Sequence, residues 1–103
     1  MPTFILTFGF TDQGIRTIED TQRRRNSAKK HAAMLGITIK DIYLTLGDSD
    51  LMYILDCPDG ESAAKFALLV GTQGNVRTRT VMAFNEAESL QLIGAVSELK
   101  KKP

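Results

Sequence analysis

The chain has 103 residues, room for one domain around one core, so residues 1–103 read as a single unit. Thirteen Lys and Arg stand against 12 Asp and Glu, a net charge of +1, which gives no electrostatic footprint for a nucleic acid or a membrane surface. Hydrophobic residues make up 43%, which excludes overall disorder, and the single cysteine, Cys57, excludes an internal disulfide and a zinc site with several thiolates.

The first element is a strand from Thr3 to Gly9, in which Phe4, Leu6 and Phe8 alternate with Thr3, Ile5 and Thr7. Thr11 has the chemistry of an N-cap for a short helical turn carrying Ile15 and Ile18, which Gly14 is expected to weaken. Asp20 and Thr21 offer a second cap, so a broken helix is expected, with its long half near residues 21–35. Ala28, Ala32 and Leu35 form its apolar stripe, His31 and Met34 lie along the edge, and Gly36 ends it. Ile37 to Leu46 reads as a second strand, with an apolar phase shift between Ile39 and Ile42 that predicts a bulge near Lys40-Asp41.

Gly47-Asp48-Ser49-Asp50 has the composition of a hairpin turn. Leu51 to Cys57 is a third strand, apolar at nearly every position, closed by Pro58. Asp59 caps a second long helix that buries Ala63, Phe66, Ala67 and Val70 and stops at Gly71 and Gly74. Asn75 to Phe84 is the fourth strand. Val76, Thr78, Thr80, Met82 and Phe84 lie on one side of it, and Arg77, Arg79, Val81 and Ala83 on the other. Asn85 and Glu88 have capping-box spacing for a last helix with a Leu92-Ile93-Val96-Leu99 stripe and three lysines at its C-terminus. No apolar run approaches a membrane span, and Met1 to Leu6 lacks the basic region of a signal peptide, so a cytoplasmic location is expected.

This order is α+β: a ferredoxin-like βαββαβ sandwich with an added C-terminal helix. Right-handed crossovers place both long helices on one face of the antiparallel sheet. The third strand is nevertheless apolar at both parities, and the fourth carries Val81 and Ala83 on its second side. Such a sheet needs cover on both faces. A second copy of the chain, closed by two-fold symmetry, is the favoured cover, with the last helix at its edge or bridging to the partner.

Three runs resemble the GYD domain family of small bacterial and archaeal proteins: Thr11-Asp12-Gln13-Gly14-Ile15-Arg16, Tyr43-Leu44-Thr45-Leu46-Gly47 and Gly74-Asn75-Val76-Arg77-Thr78. The resemblance covers nearly the whole chain and implies a dimeric α/β-barrel fold with no established activity. At the naming motif the chain keeps Gly47 and Asp50 but has Ser49 in place of the tyrosine. Whatever that phenol does in relatives is therefore not implied here.

Among individual residues, His31 lacks a sequence neighbour that would make it a base or a metal ligand, and Cys57 reads as an apolar filler. Asp48 and Asp50 fit turn chemistry better than a metal pair, and no metal or cofactor is expected. Arg23, Arg24, Arg25, Lys29 and Lys30 read as a solvated helix face. Arg77 and Arg79, with Tyr43 and Tyr53 on neighbouring strands and His31, are the candidate ligand-binding residues; ion pairs with Asp56 or Glu61 of a second subunit are the structural reading of the two arginines. The expected function is a homo-oligomeric small-molecule-binding or accessory domain. The alternatives are a cofactor-independent monooxygenase- or isomerase-like enzyme acting on a small apolar substrate, and a purely structural oligomerisation module.

Overall fold

A computed structural model describes all residues from Met1 to Pro103. In chain order the elements are β1 (Thr3–Phe10), α1 (Asp12–Arg16), a 3-10 turn (Ile18–Asp20), α2 (Thr21–Met34), β2 (Thr38–Leu44), β3 (Leu51–Asp56), α3 (Gly60–Thr72), β4 (Val76–Ala83) and α4 (Glu86–Lys100). The four strands form one sheet in the order β2-β3-β1-β4, every neighbouring pair antiparallel. The ferredoxin-like βαββαβ order is therefore present, and the register slips between Ile39 and Asp41, where the phase shift placed a bulge. No helix is long and apolar enough to cross a membrane.

Strand alternation decides which side chains meet the helices. Phe4, Leu6 and Phe8 of β1 and Leu51, Tyr53 and Leu55 of β3 are all buried beneath α2 and α3, joined by Ala28, Ala32, Ala63 and Phe66. Each large side chain in this layer contributes about 1.5–3 kcal/mol relative to exposure. The alternate positions form the second face: Ile5 and Thr7 of β1, Met52 and Ile54 of β3, Tyr43 of β2, and Arg77, Arg79 and Val81 of β4. No helix of the chain lies on it. Asn85 and Glu88 form the full capping box of α4, yet α4 has no buried residue and no other element packs along it. The molecule is accordingly 58 Å long and only 19 Å thin.

Three local expectations are corrected. The second strand starts at Thr38 and ends at Leu44, not at 37 and 46. The chain leaves the sheet where the Thr45 N–H turns to the Asp50 carbonyl, 2.8 Å away, and closes the hairpin. Gly71 lies inside α3; the stop is Gly74, whose φ of +80° only glycine adopts without strain. Gly14 is a fitted position and not a weakness of α1. A Cβ there would stand 1.9 Å from the Asn75 carbonyl oxygen, so the backbone of α1 rests directly on the turn before β4.

Gly14→Ala is expected to destabilise the domain by about 1–3 kcal/mol, the usual cost of forcing atoms into a packed contact, measured by urea unfolding.

Asp59 caps α3 by accepting the backbone N–H and the hydroxyl of Ser62, both at 2.8 Å. These bonds, the backbone one foremost, hold its carboxyl below the ordinary carboxylate value. A pKa lowered on folding adds stability that is present above the unfolded value and is lost as pH falls through the folded one. Asp59→Ala should therefore be less stable than the native chain near neutral pH and converge with it in acid, as thermal unfolding over a pH series would record.

Candidate functional site

The three sequence runs singled out above meet at one corner of the sheet, around the end of β1. The Thr11 N–H donates to the Asn75 carbonyl at 3.1 Å, and its hydroxyl donates to the Gly74 carbonyl at 2.6 Å while accepting the Gly14 N–H. The Gln13 amide donates to Asn75 Oδ1 at 2.9 Å and to the Gln73 carbonyl at 3.2 Å. From the other side Asp50 takes hold of the same strand. Its N–H donates to the Phe8 carbonyl, and its carboxylate accepts the Phe10 N–H, both at 2.8 Å. Gly47, at φ +111°, makes the turn that brings Asp50 there, and the Thr45 hydroxyl donates to the Ser49 carbonyl at 2.6 Å. Of the two motif residues, Asp50 is thus the clamp on β1 and Gly47 the turn that positions it.

Between this corner and α2 lies a cavity whose floor is Phe8 and Tyr53 and whose far wall is Val70 and Val76 of α3 and β4. With its open mouth it measures about 490 Å³. The Tyr53 ring packs edge-on against Phe8 at 4.7 Å between centroids. Two guanidiniums reach the cavity from α2. Arg24 spends its donors on the Gly14 and Thr17 carbonyls, at 3.2 and 3.0 Å, and on the Thr17 hydroxyl. Arg25 is different: its Nε is buried without a hydrogen-bond partner, and none of the chain's ion pairs includes it. The Tyr53 hydroxyl is raised above the ordinary phenol value by burial, against the smaller opposing pull of the neighbouring Arg25. At the mouth, Arg24, Gln73 and Asn75 are shared with a polar cleft that continues to Gln13, Thr17 and Arg23.

The candidate residues divide between the two faces of the sheet. Tyr43, Met52, Thr7 and Arg79 form one cross-strand row on the second face, with Arg77 two residues further along β4. Tyr43 and Arg79 stand at opposite edges of that row, about 14 Å apart at the usual strand spacing. Tyr53 does not share this space: it is 4% exposed and lies on the helix side. His31 also lies on the helix side, in the last turn of α2, half-buried with Nδ1 unpartnered, and does not line the cavity. Within the chain, Asp56 pairs with Lys40 at 3.9 Å and Glu61 with Lys65 at 3.1 Å.

The reading of 23–30 as one solvated basic face is also corrected. Arg23, Lys29 and Lys30 are exposed, but Arg24 and Arg25 are half-buried and turn inward. The signal was their spacing: they precede Ala28 by four and three residues, which puts both on the stripe that faces the sheet.

Asp50→Ala removes a charged acceptor from the Phe10 N–H and should cost about 1.5–3 kcal/mol, with hydrogen exchange at the Phe10 amide accelerated ahead of the amides in the centre of β1.

A "Glutamine synthetase and cystathionine beta-lyase binding protein" of Thermus thermophilus is 27% identical to this chain over 89 residues, covering 85% of this chain and 94% of that protein. A crystal structure of a Thermus thermophilus protein superposes with a TM-score of 0.53 at 20% identity, over 82% of this chain and 95% of that one. The Mycobacterium tuberculosis feast or famine regulatory protein, in complex with L-methionine, gives 0.54 at 13% identity over 82% of this chain. This chain spans about half of that regulator's length, 51%, and the likeness is one of fold. The model of the GYD domain matches residues 4–93, which takes in the whole sheet, both packed helices and the clamps on β1, and the chain belongs to the GYD domain family.

Proposed function

We propose that this chain is a homo-oligomeric accessory and binding domain, of the dimeric α/β-barrel type, whose second sheet face is covered by a second copy. The observation that carries the reading is the unpaired apolar surface. Val81, Tyr43 and the α4 residues Leu92, Ile93, Val96 and Leu99 are all exposed in a single chain. A 15-residue helix with nothing packed along it is marginal in water. The lone chain therefore leaves both its outer sheet face and its last helix without the burial that would hold them.

Areas agree with a dimer that uses both. Four strands of up to eight residues give a plan area of about 500 Å² per face. Two such faces bury about 1,000 Å², the lower limit for a specific interface, and α4 lying across the partner brings the total into the ordinary range. The central row of the face, Ile54, Ile5 and Val81, is apolar, while Arg77 and Arg79 sit toward the end beside Gly9 and Thr7, where a rim belongs. The binding part of the reading draws on the helix–sheet cavity, and the Thermus relative's name, a binding protein of two enzymes, fits an accessory role.

Light scattering on an eluting peak should give twice the 11.4 kDa of one chain, or a higher multiple. Val81→Glu, which sets a charge in the middle of the proposed interface, should give the mass of one chain. A native chain that elutes as a monomer at micromolar concentration contradicts the reading.

A further inference from the structure

We propose that the helix–sheet cavity is a binding site for a small monocarboxylate, held by the Arg25 guanidinium with the Tyr53 hydroxyl as second donor. This deepens the binding-domain reading and rests on it, but not on the assembly, because every residue involved belongs to one chain and lies on the helix side of the sheet.

A guanidinium N–H taken out of water asks for an acceptor, since a buried donor without one costs stability. Arg24 meets that demand with two backbone carbonyls and a threonine hydroxyl. Arg25 leaves Nε buried and unpartnered, although the chain has 12 Asp and Glu side chains and places none within ion-pair distance of it. The missing partner is an acceptor from outside. A planar carboxylate suits it, because a guanidinium offers two parallel N–H groups at matching spacing.

Charge narrows the class: a phosphate dianion asks for more than one unengaged cation, whereas a monocarboxylate is matched by the single guanidinium of Arg25. Tyr53, kept neutral by burial, still has its proton to donate. The walls beyond the head are Phe8, Phe10, Ala28, Val70 and Val76, so the carbon next to the carboxylate meets apolar surface before the chain reaches the mouth.

The test is a titration of the native chain, isotope-labelled, following the Arg25 Nε–H and the cavity methyl groups by NMR. The probes are sodium butyrate, sodium acetate, inorganic phosphate and neutral butyramide at constant ionic strength. Butyrate should move the Arg25 Nε–H saturably and bind more tightly than acetate, by about fourfold for each methylene buried; butyramide and phosphate should not saturate. Arg25→Gln should abolish the response, and Tyr53→Phe should weaken it about tenfold, the loss of one hydrogen bond to a charged group. A native chain that shows no saturable shift with butyrate, or the same shift with butyramide, overturns the proposal without recourse to any variant. Saturation by phosphate in place of butyrate overturns the carboxylate assignment. Light scattering on the same samples separates the two readings: a dimer that ignores butyrate refutes the site alone, and a monomer that binds it refutes the assembly alone.

Discussion

Handedness governs this molecule. Two strand–helix–strand units share one antiparallel sheet; crossovers of this kind are right-handed almost without exception, which accounts for α2 and α3 packing into one core on the same side. Phe4, Leu6, Phe8, Leu51, Tyr53 and Leu55 are thereby buried, while Ile5, Ile54 and Val81, one residue out of phase in the same strands, are not covered by any helix of the chain. Nothing in the chain repairs this: α4, the one apolar-striped element left over, packs along no part of its own domain. A domain of this size buries only about two-thirds of its unfolded surface even when complete. An uncovered sheet face and an undocked helix together are a large fraction of what it has to lose.

The residues that mark the family act on the end of β1 through backbone geometry. Gly14 is glycine because the Asn75 carbonyl occupies the place of its side chain. Gly47 is glycine because the hairpin turns through positive φ, and the turn delivers Asp50 to the Phe10 N–H. Asp50 thus fixes the end of β1, and that strand end also lines the cavity, through Phe8 and Phe10. The tyrosine position of the motif falls, in this chain, on Ser49, whose carbonyl accepts the Thr45 hydroxyl. The contact that closes the turn thus runs through the backbone and does not require a particular side chain at position 49.

How much of this was legible follows from which interactions are local. Alternation in β1, the bulge after Ile39, the Asp59 cap and the Asn85–Glu88 box are written in residues a few positions apart, and each is present in the fold. The separation of Tyr43 from Tyr53 was not readable. β3 is apolar at both parities, so only the register, Tyr43 opposite Met52, decides that Tyr53 faces the helices. The inward turn of Arg24 and Arg25 was hidden differently. Their spacing to Ala28 was visible, but a run of three arginines weighed as charge looks like a solvated face. The Gly14–Asn75 contact joins residues 61 positions apart and has no local signature at all.

The two arginine pairs of the chain show how the same residue type serves opposite ends on the two sides of one sheet. Arg77 and Arg79 keep their guanidiniums exposed on the second face, where water solvates them and where a charged rim beside an apolar strip limits which surfaces can seat there. Arg24 and Arg25 are half-buried and give up part of that solvation. Arg24 recovers it from carbonyls that α1 and the following turn leave free. For Arg25 the Tyr53 hydroxyl is the neighbouring group, and Nε stays buried without a hydrogen-bond partner. An apolar side chain at position 25 would carry no such deficit. A cation with an unpartnered buried nitrogen, next to a protonated phenol in a small apolar chamber, is costly to a folding chain and useful to one that has an anion to hold.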